Sequence, residues 1–250
     1  MDITFNGQTA LVTGAGSGIG AAVARNLAAS GAHVIVADRD LPKAAAIATE
    51  ITAAGGKADA AGGDVADPEV VKALVDLAVR KGGKLDLLVN NAGIGGPQAM
   101  TGDYPLDGWR QVMSVNLDSV FYGLRYAIPE MLKTGGGSIV NMASILGTVG
   151  FANSSAYATA KHGLLGLTQT AALEYSAHGI RINAVGPGFI DTPLLSTLPP
   201  ESRAGLVALH PIGRLGTSDE VAHLVLVLLS DKAAFITGSY HLVDGGYTAQ

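Results

Sequence analysis

Residues 9–38 read TALVTGAGSGIGAAVARNLAASGAHVIVAD. Thr9–Thr13 is a short apolar run of the kind that forms a buried strand. The glycine-rich turn GAGSGIG follows at 14–20, and then an alanine-rich stretch with helical periodicity that ends at Gly31. Residues 33–37, HVIVA, make a second buried strand that ends at Asp38. A lone glycine run is usually a flexible loop. Here the glycines lie between a strand and a helix, where the chain must turn tightly and the first N–H groups of the helix face outward. That is the local structure a dinucleotide pyrophosphate requires. Gly14, Ser17, Gly18, Ile19 and Gly20 are the expected contacts. An acidic side chain at the end of the second strand accepts hydrogen bonds from ribose hydroxyls and repels a 2′-phosphate, so Asp38 favours NAD over NADP. Arg39, directly after it, softens that preference.

The alternation of strand and helix continues to the C-terminus. Further strands are expected at 57–61, 85–89, 138–142, 180–185 and 240–243. Helices are expected at 41–54, 68–80, 106–133, 153–178 and 218–229. Seven strands alternating with helices predict an α/β fold with one doubly wound parallel sheet and right-handed crossovers. In such sheets ligands bind beyond the carboxyl ends of the strands. Gly14, Asp38, Asp64, Asn90, Ser144 and Pro187 all fall at such ends, which gathers them into one crevice. Linkers, repeats and low-complexity segments are absent, so residues 1–250 read as one domain. The longest interval without a strand, about 187–216, is proline-rich with apolar residues between the prolines, and is expected to be a substrate lid.

Composition narrows the function classes. The net charge of −5 comes with scattered basic residues, which argues against nucleic acid and against a membrane surface. The longest apolar runs, such as LVLVLL at 224–229, are far too short to span a bilayer. With no cysteine, disulfides and thiolate metal sites are excluded. The start MDITFNGQ lacks the positive region of a signal peptide, and the expected location is the cytoplasm. The six histidines show no paired metal-ligand spacing.

A second stretch, 144–161, reads SILGTVGFANSSAYATAK. Tyr157 and Lys161 are four apart and project from one helix face. Ser144 ends the preceding strand, and the short loop can fold it over the helix start. A phenol titrates near pH ~10, too high for acid–base work at neutral pH, and a fixed lysine charge beside it is expected to lower that value. The spacing also occurs by chance, with the tyrosine packed and the lysine in water.

Taken together, TGAGSGIG at 13–20, NNAG at 90–93, Asn116, Ser144, YATAK at 157–161 and PG at 187–188 resemble the short-chain dehydrogenase/reductase family over nearly the whole chain. The resemblance implies a Rossmann-type sheet of order 3-2-1-4-5-6-7 and a reaction between a secondary alcohol and a ketone. It implies the catalytic set Asn116, Ser144, Tyr157 and Lys161. Tyr157 would be the general acid or base, and Lys161 would lower its pKa and bind the nicotinamide ribose. Ser144 would orient the carbonyl oxygen. Asn116 would distort its helix and hold a water that relays protons. Asp64 and Val65 would flank the adenine, and Asn90, Ala92 and Gly93 would line the cofactor face. Pro187, Gly188, Ile190 and Thr192 would hold the nicotinamide side. It also implies a homotetramer paired through the helices at 106–133 and 153–178, and a C-terminal tail in which Gln250 supplies oxygens to a structural Mg²⁺. The alternative for that tail is that it binds no metal.

Ile94, Ile145, Phe151, Phe189, Leu194 and Leu195, with Leu146, Val149 and Leu198 nearby, suggest an apolar pocket for a hydrophobic alcohol or ketone. A 3-oxoacyl carrier-protein reductase and a sugar 1-dehydrogenase are the alternative enzymes. Glu130 and Leu173, however, are poor contacts for an acidic carrier. An NAD-sensing binding protein on the same fold is the non-enzymatic alternative, and the complete catalytic set argues against it.

Overall fold

The structure, a computed structural model, describes residues 2–196 and 199–249, without the side chains of Leu194 and Ser196. Seven strands form one parallel sheet in the order β3-β2-β1-β4-β5-β6-β7. They are β1 (Thr9–Thr13), β2 (His33–Asp38), β3 (Lys57–Gly62), β4 (Leu87–Asn90), β5 (Gly137–Met142), β6 (Ile180–Pro187) and β7 (Tyr240–Val243). The crossovers are α1 (Gly18–Ala29), α2 (Leu41–Ala53), α3 (Pro68–Gly82), α4 (Leu106–Met113) running into α5 (Ser119–Lys133), α6 (Ser155–Tyr175) and α9 (Ser218–Leu229).

The apolar strands are explained by burial on both faces. Ala10, Val12, Val34, Val36, Val89 and Val140 turn to one side and pack with α1, α2 and α9. Leu11, Ile35, Leu88, Ile139 and Ile182 turn to the other and pack with α3, α5 and α6. Two cores therefore clamp the sheet and fix the strand ends at its C-terminal edge. The capping box of Thr217 and Glu220 starts α9 where the sequence places it.

Three elements differ from expectation. Residues 85 and 86 precede β4, because the Asp86 carboxylate instead accepts from the Thr9 N–H at 2.8 Å and caps β1. The helix at 106–133 is interrupted by a π-helical segment, Ser114–Asp118, centred on Asn116. The helix expected from 153 starts at Ser155, since Asn153 has a left-handed backbone with φ +64°. The expected lid holds two short helices, α7 (Pro193–Ser196) and α8 (Pro200–Ala208), each opening on a proline. Among the described residues, no helix is long and apolar enough to cross a membrane.

Candidate active site

The glycine turn shows why those positions carry no side chain. Gly14 and Gly18 have φ of +62° and +53°. A Cβ on Gly20 would lie 2.3 Å from the Gly14 carbonyl oxygen, and one on Gly14 would lie 2.8 Å from the Ala92 Cα. The turn is also tied to β4. Asn91 Nδ2 donates to the carbonyls of Thr13 and Gly14, at 2.9 and 3.1 Å. The Thr13 hydroxyl accepts from the N–H groups of Asn91 and Ala92, at 3.0 and 3.1 Å. Neither Thr13 nor Asn91 is a predicted site residue. Both stand inside quoted motifs, Thr13 in TGAGSGIG and Asn91 in NNAG.

Helix α1 begins at this turn with no side-chain cap and no acidic residue in its first turn. Ser17 is exposed at the N-cap and Ile19 is half-buried. Unpaired helix-terminal amides with no competing negative charge suit an anionic pyrophosphate. Asp38 sits opposite. Its two carboxylate oxygens accept from the N–H groups of Gly16 and Asp40, each at 2.9 Å. Asp64 is exposed and accepts from the Ala66 N–H, whereas Val65 is buried in the core beneath. The residues expected to meet the phosphates, the ribose and the adenine thus lie at or just past the ends of β1, β2 and β3, which are neighbours in the sheet. Across the crevice, Pro187 ends β6 and Gly188 follows without room for a Cβ, which would lie 2.9 Å from the His210 ring. Ile190 is buried and bridges Gly216, and the Thr192 methyl faces Gly18.

Asn90 belongs to the sheet rather than the crevice. It is 4% exposed, bonds Asn141 at 2.9 Å, and occupies the space left by Gly123 on α5.

The four residues expected to be catalytic converge. Lys161 is 3% exposed, and its Nζ donates to the Met142 carbonyl at 2.7 Å. The same Nζ lies 5.5 Å from the centre of the Tyr157 ring. Ser144 lies just past β5, and its hydroxyl hydrogen-bonds the Tyr157 phenol. Asn116 is fully buried and clamps Ile94 from both sides: Oδ1 accepts from the Ile94 N–H and Nδ2 donates to its carbonyl, both at 2.8 Å. Gly93 passes between Asn116 and Lys161.

The electrostatics differ from expectation. Burial pushes the Tyr157 phenol above its ordinary value, and the Ser144 hydrogen bond pulls it only part of the way back. The Lys161 ammonium donates to the Met142 carbonyl and lies over the Tyr157 ring. Burial pushes Lys161 itself down to about 8.

An aromatic cluster joins Phe151, in the loop between Ser144 and α6, to the segment that follows β6 and to the C-terminal tail. Phe151 meets Phe189 edge-on at 5.9 Å, and Phe189 in turn contacts His210 at 5.8 Å and Tyr247 at 6.0 Å. His210 is locked: Nδ1 donates to the Leu206 carbonyl at 2.8 Å, so Nε2 accepts the Phe189 N–H at 3.2 Å. His210 and Tyr247 are missed by sequence reasoning, since neither lies near a motif. Ile94 and Leu195 are half-buried. Ile145, 2% exposed, is buried instead of facing an opening. Leu198 and Gln250, the expected Mg²⁺ donor, lie outside the described residues, as does the side chain of Leu194. Among the described residues no cluster of three or more acidic or histidine side chains could hold a metal. A concavity of about 580 Å³ behind the lid is lined by Asp191, Arg203, Arg214 and Glu220. It contains none of the catalytic set and is spanned by the Arg203–Asp191 and Arg214–Glu220 ion pairs.

Comparison with known proteins gives the family. Residues 14–248 match the family described as enoyl-(acyl carrier protein) reductase. The chain is 51% identical over 250 residues to the cyclohexanol dehydrogenase of Acinetobacter sp. (strain SE19), covering all of this chain and 98% of that protein. The chain belongs to the short-chain dehydrogenase/reductase family. It is 46% identical over 249 residues to the cis-4-hydroxycyclohexanecarboxylate dehydrogenase of Sinomonas cyclohexanicum, covering both chains in full. A solved structure from Beutenbergia cavernae with NADP bound at low occupancy superposes with a TM-score of 0.93 at 37% identity, covering both chains in full. As a short-chain dehydrogenase/reductase with its sheet order and crevice intact, the protein is an oxidoreductase acting on secondary CH–OH groups with a nicotinamide cofactor.

Proposed function

We propose that the protein oxidises a cyclic, largely apolar secondary alcohol to its ketone with NAD, and catalyses the reverse reduction. The observation that carries this is the aromatic cluster of Phe151, Phe189 and Tyr247, which includes a ring from the loop that joins Ser144 to the helix of Tyr157. Such a cluster suits a saturated ring, and both reported relatives are named for cyclohexane-ring alcohols.

In oxidation, Tyr157 takes the proton of the substrate hydroxyl, and in reduction it returns one. Ser144 holds the substrate oxygen against Tyr157. Lys161 holds the nicotinamide ribose and is the cation nearest the Tyr157 ring. Asn116 fixes Ile94 and keeps the cofactor side of the pocket in place; it would also hold the relay water next to Lys161. The bound cofactor supplies the hydride acceptor or donor. Because burial raises the Tyr157 phenol, its base form gains population only in the alkaline range, so oxidation speeds up with rising pH and reduction slows.

Asp38 supports NAD: a 2′-phosphate would meet a carboxylate held by two main-chain donors. Lys133 pairs Glu130 and Leu173 is 86% exposed, so these positions offer no basic surface to an acidic carrier. Apolar side chains left exposed on α5 and α6, Phe121 and Leu173, support assembly as a homotetramer through those helices. Cyclohexanols, acyclic secondary alcohols and sugars, assayed with both cofactors by absorbance of the reduced nicotinamide, test the reading. The expected order of kcat/KM is cyclic above acyclic above sugar, with NAD preferred. Equal rates on sugars would overturn it.

A further inference from the structure

Tyr240 is the first residue of β7 and pairs with Ala184 of β6. Its ring fills the space over Gly186, where a Cβ would lie 2.1 Å from the phenol oxygen. Gly186 has no left-handed backbone, so the glycine there makes room for the ring and not for a turn. From this slot the Tyr240 hydroxyl donates to the Ser144 carbonyl at 2.6 Å.

The contact matters because of where Ser144 stands. The ladder of β5 with β6 ends at Met142–Val185, and the last main-chain bond to β6 is the Ala143 N–H to the Val185 carbonyl at 2.8 Å. Ser144 is the next residue and lies outside the sheet. Its carbonyl receives two donors, the Gly147 N–H at 2.8 Å and the Tyr240 hydroxyl. The first belongs to the same short turn and moves with it. The second is anchored in the sheet, 96 positions away in sequence. Tyr240 thus straps the start of the turn that carries Ser144 to a rigid strand. Burial pushes the Tyr240 phenol up to about 12, so it stays a donor throughout the working range.

We propose that Tyr240 is a positioning residue, which holds the Ser144 main chain so that the serine hydroxyl meets both Tyr157 and the substrate oxygen. The proposal rests on the role assigned to Ser144 above. Tyr240→Phe keeps the ring that fills the Gly186 slot and removes only the donor.

The test is a cycle of Tyr240→Phe, Ser144→Ala and the double variant, assayed with NAD and cyclohexanol. In the wild-type background Tyr240→Phe is expected to lower kcat about tenfold, with NADH affinity unchanged. The alkaline rise of oxidation is expected to move to higher pH, because Tyr157 loses the hydrogen bond that pulls its phenol down. In the Ser144→Ala background the same substitution is expected to change kcat less than twofold, since residues acting as one unit are not additive. Equal losses in both backgrounds would show damage unrelated to Ser144 and overturn the proposal. So would wild-type activity of Tyr240→Phe beside an impaired Ser144→Ala. Full activity of Ser144→Ala would instead remove the role of Ser144 and the proposal with it.

Discussion

Lys161 makes the sharpest physical prediction. It is 3% exposed, and its ammonium has a carbonyl for a partner, with no ion pair to a carboxylate among the described residues. Burial lowers it from 10.5 to about 8. Between those values the unfolded chain binds a proton that the native site has lost, so stability contributed by this site rises with pH. Below about pH 8 both states are protonated and the full penalty of burying the charge applies. At about 1.4 kcal/mol for each pH unit, that penalty is about 3 kcal/mol at pH 7. Lys161→Met removes the charge and keeps the apolar stem, but leaves the Met142 carbonyl unpaired, which costs about 1–3 kcal/mol. At pH 7 the variant is therefore expected to be as stable as the wild type, or up to about 2 kcal/mol more stable, while its turnover is lost. The pH dependence is the clearer signal. From pH 7 to pH 10 the wild type should gain about 2.5 kcal/mol on the variant, because only the wild type carries the titrating group. Urea unfolding followed by far-UV circular dichroism, at one protein concentration and four pH values, measures this. A stability difference that stays constant across the series, or moves in favour of the variant, would refute the buried, carboxylate-free description of Lys161.

Three further outcomes follow from the same geometry. Tyr157→Phe should lower kcat by at least about a thousandfold and leave NADH binding, read by fluorescence titration, within about twofold; retained turnover would remove the proton-transfer role. Asp38→Ala should weaken NAD about tenfold and narrow or invert the preference over NADP, because the charge facing the 2′ position is gone; an unchanged ratio of the two affinities would show that another residue selects. Gly20→Val should abolish binding of either cofactor, since even its Cβ would lie 2.3 Å from the Gly14 carbonyl oxygen; isothermal titration showing normal NADH affinity would contradict the described turn.

The fold was legible because its signals are local. Runs such as LVT and HVIVA are apolar on both faces, and the two cores show why: successive residues of each strand face opposite helical layers. The glycine turn was legible for the same reason, since it needs only a strand before it and a helix after it. The interruption at Asn116 was not readable from helical pattern. Residues 106–133 have no local reason to break, and what holds the π-helical segment in place is tertiary, the clamp of a buried amide on Ile94. Only the family resemblance pointed there.

The same distinction explains the pKa of Tyr157. Spacing correctly places Lys161 one turn from Tyr157, and from spacing alone a cation beside a phenol must lower it. Whether it does depends on where the ammonium points and how much water remains, and both are set by residues distant in sequence. The Met142 carbonyl holds the ammonium, and burial of the pair removes the solvent that would favour either charge. Desolvation acts on both groups in the direction that disfavours charge, raising the tyrosine from 10.0 and lowering the lysine from 10.5 to about 8, so the two values move apart and the neutral pair is favoured. Substitutions that admit water around α6 should bring both values back toward their ordinary ones, even when they touch neither side chain.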